Sequence, residues 1–400
     1  MEGKKMIGLA AAVLFWLSCF AVLALAAAPR SASALASPGA DEFQEEPTPG
    51  SGTVIVHPKF GGQILGYDID PNGTEGLLSE YVSLGGGANL VATELFDQKT
   101  GAILKVVAKE NNTTQDDYVT EGIFGGLGLD LFQHAGQNHF LAINPLKAGK
   151  FTGKWTPPIR QNYQLWSIGA SRETASVAAY QASFGGGPTY VFSSNIAKNT
   201  FGRQISLKSI QNGNEFLLPQ IALDSKTNQA VLADSLGCPE KTCVSDIALV
   251  DLKTGKISKF TASLGIGSVD GLAVDPTTGI ACTTTLVDGG VEFYNLAKKT
   301  GFEVPIFNAG ELEAGLDVEF DSLHKVFLVE QYTSTGNIND PQPRVYVYDE
   351  KGNVKKTVTG LQRIPISPSL IALNPGKRIG FLPVVVEPQH EVLELQSFKY

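Results

Sequence analysis

Between residues 53 and 400 the apolar positions come in short runs separated by acidic or glycine-bearing turns, and the arrangement repeats. Gln220-Ile221-Ala222-Leu223-Asp224 leads through a polar turn into Gln229–Asp234, and Gly271-Leu272-Ala273-Val274-Asp275 leads through Pro-Thr-Thr-Gly into Ile280–Leu286. Each reads as a short strand, an acidic turn and a second strand. The same frame fits Leu316–Glu319 with Lys325–Glu330, and Leu370–Asn374 with Arg378–Val386. It fits Ile69-Asp70, Leu127–Asp130 and Ile168–Ser171 more loosely. The expected turn residues are therefore 70, 130, 171, 224, 275, 319 and 374. They recur at roughly 40 to 60 residues, about the length of one four-stranded blade.

A second marker runs in the same phase. Apolar strands end in Asp or Asn, pass a Gly, and restart: Asp97 to Gly101, Asp251 to Gly255, Asn295 to Gly301 and Asp349 to Gly352, with weaker copies at Asn144 to Gly149 and Asn195 to Gly202. The side-chain oxygen caps the turn and Gly takes the left-handed position that reverses the chain, which predicts a hairpin between the third and fourth strands of each unit. The last unit supplies only three strands, Ser369–Asn374, Ile379–Val386 and Glu391–Phe398. Thr53–His57 can supply the fourth and leave no long free edge. No helical periodicity of useful length follows residue 52. The expected fold is all-β: a single domain over 53–400, built as a seven-bladed β-propeller whose last blade the N-terminal strand completes. Six blades is the alternative count.

Composition agrees. Of 400 residues 43% are hydrophobic and only 18% charged, with 43 Gly and 21 Pro, which suits many strands joined by tight turns. The formal net charge of -9 argues against nucleic acid or an anionic membrane surface as a partner. Lys4 and Lys5 precede an apolar run from Met6 to Ala28, and Ala34-Leu35-Ala36 follows. This is the order of a secretory signal, residues 1–36, cut after Ala36 and followed by a disordered linker at 37–52. The protein is then secreted or periplasmic. The alternative is an uncleaved membrane anchor over residues 6–28. In an oxidising compartment Cys238 and Cys243 are close enough to form a disulfide; two free thiols is the other reading, and no second ligand pair favours zinc. Cys282 lies in an apolar strand and is expected to be a buried thiol.

Asp270-Gly271-Leu272-Ala273-Val274-Asp275, together with the Asp-Leu-Lys-Thr-Gly turn at 251–255, resembles the propeller repeats of the NHL, YVTN and SMP-30 (gluconolactonase-like) families over about residues 53–400. Those families include sugar lactonases, quinoprotein-like enzymes, cell-surface proteins and protein-binding scaffolds. In the gluconolactonase-like members an early Glu-Gly, an Asp of Pro-Asp-Gly and two Asn bind a divalent cation, and the ring usually has six blades. The resemblance implies Glu121 and Asp270 as metal ligands here. Gln164 and Gln220 stand where the Asn belong, and Val269 replaces the Pro. Two carboxylates with amide oxygens would suit Ca2+, which could polarise a lactone carbonyl.

The bland alternative is that Glu121, Gln164, Gln220, Asp270 and Asp317, all on expected first strands, line the channel and bond strand ends and water. Signatures of serine hydrolases, zinc proteases, P-loop and dinucleotide-binding proteins are absent, and the five His are scattered. The connections holding Gly85–Gly87, Gly185–Gly187, Cys238–Cys243 and Thr333–Pro343 would gather on one rim. The sequence thus points to a binding or scaffold propeller that holds a small ligand or a protein partner at a rim or the channel mouth. A metal-dependent lactonase-type hydrolase is the competing reading, and the sequence leaves open whether the protein is an enzyme.

Overall fold

A computed structural model describes residues 53–85, 88–112, 119–124, 127–134, 137–144, 150–155, 163–171, 176–183, 188–195, 200–211, 220–233, 246–261, 269–285, 290–304, 312–334, 342–362, 371–387 and 392–400. For the strands between 110 and 187 only backbone pairing is described. The targeting segment, its anchor alternative, the linker and the Cys238–Cys243 loop lie outside the described residues.

Strand β1 (Ile55–Val56) is followed by four strands of one sheet, β2 (Gln63–Ile69), β3 (Glu75–Gly85), β4 (Ala88–Asp97) and β5 (Ile103–Asn112). The next sheet holds β6 (Val119–Phe124), β7 (Leu127–His134), β8 (Gln137–Asn144) and β9 (Lys150–Trp155). The third holds β10 (Tyr163–Ser171), β11 (Ser176–Ser183), β12 (Tyr190–Asn195), and the two short pieces β13 (Thr200–Phe201) and β14 (Ile205–Ser206), which both pair β12. The fourth is β15 (Gln220–Asp224), β16 (Gln229–Ala233), β17 (Asp246–Asp251) and β18 (Ile257–Thr261). The fifth is β19 (Val269–Asp275), β20 (Ile280–Thr285), β21 (Val291–Asn295) and β22 (Thr300–Val304). The sixth is β23 (Leu312–Asp321), β24 (Val326–Ser334), β25 (Gln342–Tyr348) and β26 (Val354–Val358). The seventh joins β27 (Ala372–Asn374), β28 (Ile379–Glu387) and β29 (Val392–Lys399) to β1, through the pairs Ile55–Gln396 and Val56–Leu395. All pairings are antiparallel. The helical content of the described residues is one 3-10 turn, Pro375–Lys377.

The middle strand β16 is apolar on both sides because both sides are covered. In β16, Ala230 and Leu232 join a core with Val191, Ile205 and Leu223, while Val231 and Ala233 join another with Val269, Val274 and Tyr294. Neighbouring sheets meet through their first strands: β2 touches β6, β10 touches β15, β15 touches β19, β19 touches β23, β23 touches β27 and β27 touches β2, while β10 also meets β8. The core between the first and last sheets contains Val56, Ile64, Tyr67, Phe96, Phe381 and Leu395.

In the fourth to seventh sheets the turn between first and second strands has one recipe. Asp224, Asp275 and Asp321 each accept backbone N–H groups two or three residues on, and Asn374 accepts that of Lys377. Four residues after the cap the chain is left-handed, at Asn228, Gly279, Lys325 and Arg378. Two expected turns move. In the second sheet the connection falls at 125–126, and Asp130 sits inside β7 opposite Glu121, because Val119–Phe124 is the first strand. In the sixth sheet the cap is Asp321 and not residue 319; the strand runs two residues further, carrying Phe320 onto the core. In the β21–β22 hairpin the left-handed residue is Lys299, while Gly301 lies within β22 opposite Tyr294.

Candidate functional site

The first strands carry most of the residues singled out from the sequence. Four of these strands contain a register slip that leaves one residue extra: Leu65 in β2, Trp166 in β10, Asp270 in β19 and Leu316 in β23. A bulge bends the strand and re-aims its side chain. Asp270 is therefore the acidic counterpart of Leu65, Trp166 and Leu316, and it is partly buried. Asp317 follows the bulge and corresponds to Gly271, so the two acids hold neighbouring, not equivalent, positions. Their strands touch closely: a Cβ on Gly271 would lie 2.6 Å from Val318 N and 2.8 Å from Asp317 Cα. A side chain at 271 would force β19 and β23 apart.

Asp317 faces the seam toward the last sheet. It is 9% exposed, and its Oδ2 accepts the N–H of Ile371 at 2.6 Å. Burial pushes its carboxyl up to about 7, against the pull of the Ile371 and Val318 N–H groups. An acid tied in this way ties two sheets together. Gln220 opens β15 opposite Ala233 and is half-buried. Glu121 and Gln164 pair through the backbone with Asp130 and Ala182, and their side chains lie outside the description.

Among the described residues no three His, Cys, Asp or Glu side chains gather to hold a metal ion. Turn aspartates cap backbone N–H groups, and Lys226 and Lys325 reach across to Thr277 on a neighbouring sheet. Cys282 is a buried free thiol.

Sequence reasoning did not anticipate the fully buried glutamates Glu80, Glu94, Glu292 and Glu330 on middle strands. Glu80 on β3 and Glu94 on β4 meet in the seam between the first and last sheets, and burial raises both, Glu94 to about 7. Glu292 on β21 accepts a hydrogen bond from Tyr294 Oη; burial and then the charge of Glu303 push it up to about 7. The available signal was a charged residue within an apolar run, as in Leu-Leu-Ser-Glu-Tyr-Val at 77–82 and Val-Glu-Phe-Tyr at 291–294.

No protein-family model matches the chain, and no curated protein matches it. Solved structures do. A chain in the crystal structure of the mitotic checkpoint complex is 12% identical, with a TM-score of 0.58 over 92% of this chain and 99% of that one. The β-propeller domain of Cps50 (Swd1) from Myceliophteria thermophila is 10% identical, with a TM-score of 0.57 over 87% and 99%. The WD40 repeats of RRP9 are 11% identical, with a TM-score of 0.54 over 87% and 98%. At such identities the likeness is one of fold: this chain is a repeat protein with the β-propeller fold found in WD40 proteins.

Proposed function

We propose that the protein is a binding scaffold: a seven-bladed ring, with NHL-like repeats and β1 completing the last blade, that holds a small molecule or a protein partner at one rim or the channel mouth. The observation that carries this reading is the use made of the acids. Asp317, Glu80 and Glu94 spend their carboxyls on backbone N–H groups between sheets, which leaves recognition to the connections between second and third strands. The likeness to WD40 propellers fits such a role, and one of those neighbours was solved within a complex. The hydrolase reading rests on Asp270 and Glu121. A thermal-shift titration with Ca2+ separates the two. The scaffold reading expects no change at millimolar metal; a clear stabilisation abolished by Asp270→Ala would transfer the site to a metal-dependent hydrolase. On the same reading the chain is exported and cut after Ala36, with Cys238 and Cys243 joined. Intact mass before and after reduction checks both, and a protein still carrying residues 6–28 would instead be membrane-anchored.

A further inference from the structure

The segment between β1 and β2 carries the chain from the last sheet to the first, and two buried carboxyls hold it. Glu80 Oε1 accepts the N–H of Phe60 at 2.8 Å and Glu80 Oε2 that of Gly62 at 2.7 Å, while Glu94 Oε2 accepts that of Lys59 at 3.0 Å. The segment lies flush on the first sheet: a Cβ at Gly62 would collide with Tyr81 O. Glu80 and Glu94 are diagonal neighbours on one face of β3 and β4, since Glu80 pairs Ala92 and Glu94 pairs Leu78. Both carboxyls are fully buried on that face, where two negative charges side by side are costly and a proton on one of them relieves the repulsion.

We propose that the Glu80–Glu94 pair is a proton-operated clasp: sharing one proton it grips residues 59–62 and so holds β1 in the last sheet, and on losing that proton it loosens this seam. The surroundings give the proton little competition. From the last sheet the hydrophobic residues packed in the seam are Phe381, Leu395 and Ala372 with Val385 at the edge, and from β2 they are Ile64 and Tyr67, while Asn374 and Lys377 cross the seam to the Asp70–Gly73 turn. The described cations nearby are Lys59 on the segment itself and Lys109 on β5, whose Nζ atoms lie 6.0 and 4.9 Å from the Phe60 ring centre. His57 and Glu394 pair one step along the segment, with His57 largely exposed. With Glu94 raised from 4.5 to about 7, the folded chain keeps a proton the unfolded chain has released, so the clasp is strongest at mildly acidic pH and fails as pH rises through about 7. The inference does not depend on the scaffold reading.

Hydrogen exchange on the full-length protein tests it. After correction for intrinsic rates, protection of residues 55–62 should fall at least about tenfold between pH 5.5 and 8.5. Protection of β15 and β16, in distant sheets, should change far less. Glu94→Gln, which keeps the accepting oxygen and a donor toward Glu80, should hold wild-type low-pH protection at both pH values. Unchanged protection in the wild type overturns the proposal, as does a Glu94→Gln protein that keeps the pH dependence. Should that variant fail to fold, the wild-type profile still decides.

Discussion

Gly101 shows how much one position can carry. It takes the left-handed conformation after the Asp97 cap, with φ of 74°, and a Cβ there would run into Ile55 O of β1. Gly101→Ala therefore meets both backbone strain and a collision with the strand that completes the last sheet. We expect a loss of about 2 kcal/mol or more in denaturant unfolding, with residues 55–57 losing exchange protection first. A variant as stable as wild type would show that β1 is held elsewhere. Lys299, Lys325 and Arg378 take the same conformation without glycine, so the Asp or Asn cap four residues earlier is what dictates each turn. That cap is readable from the sequence, and the identity of the reversing residue is not.

Strands meet by register, and register decides what a polar side chain does. Without the extra residue in β23 Asp317 would face the other side of the sheet; with the slip at Leu316 it points into the seam and accepts the Ile371 N–H. Asp317→Ala leaves that N–H buried and unpaired, and should cost about 1–3 kcal/mol at pH 5. Asp317→Asn retains an acceptor and should be close to neutral there, and more stable than wild type at pH 8, where Asp317 loses its proton. Equal effects of the two substitutions would remove the hydrogen bond as the cause. Register also explains small residues opposite large ones. Gly76 faces Phe96 and Gly380 faces Phe398, each ring filling the space a Cβ would need.

At the scale of the whole molecule, the described carboxyls with shifted titration include two groups of opposite pH sign. Glu94, Glu292 and Asp317 are raised by burial to about 7, so their contribution to stability is full below pH 4.5 or lower and is lost as pH climbs through 7. The turn caps Asp97, Asp275 and Asp349 are held low. Burial works against this and is outweighed by accepted hydrogen bonds, from Thr100 at Asp97, from Glu350 and then Thr277 at Asp275, and from Lys355 and then Asn353 at Asp349. Their contribution is present above their unfolded values and lost on acidification below about pH 4. The melting temperature should peak near pH 5 and drop by several degrees by pH 8, and again toward pH 3. A melting temperature that rises steadily from pH 5 to 8 would contradict these burial-driven shifts.

By itself the sequence determined the local rules: strand, capped turn, strand, hairpin, repeated. These rules are legible because a turn cap and its reversing position lie within five residues of each other. It also indicated that the strand near residue 55 would finish the last sheet. Only the tertiary structure decided where the bulges fall, and hence that Asp270 and Asp317 are not equivalent. It alone paired Glu80 with Glu94, residues whose meeting depends on a diagonal across two strands and on a segment arriving from the far end of the chain. A one-residue slip leaves local hydrophobicity unchanged but sends every following side chain to the other face. Composition and spacing carry no trace of it until the strands are laid side by side.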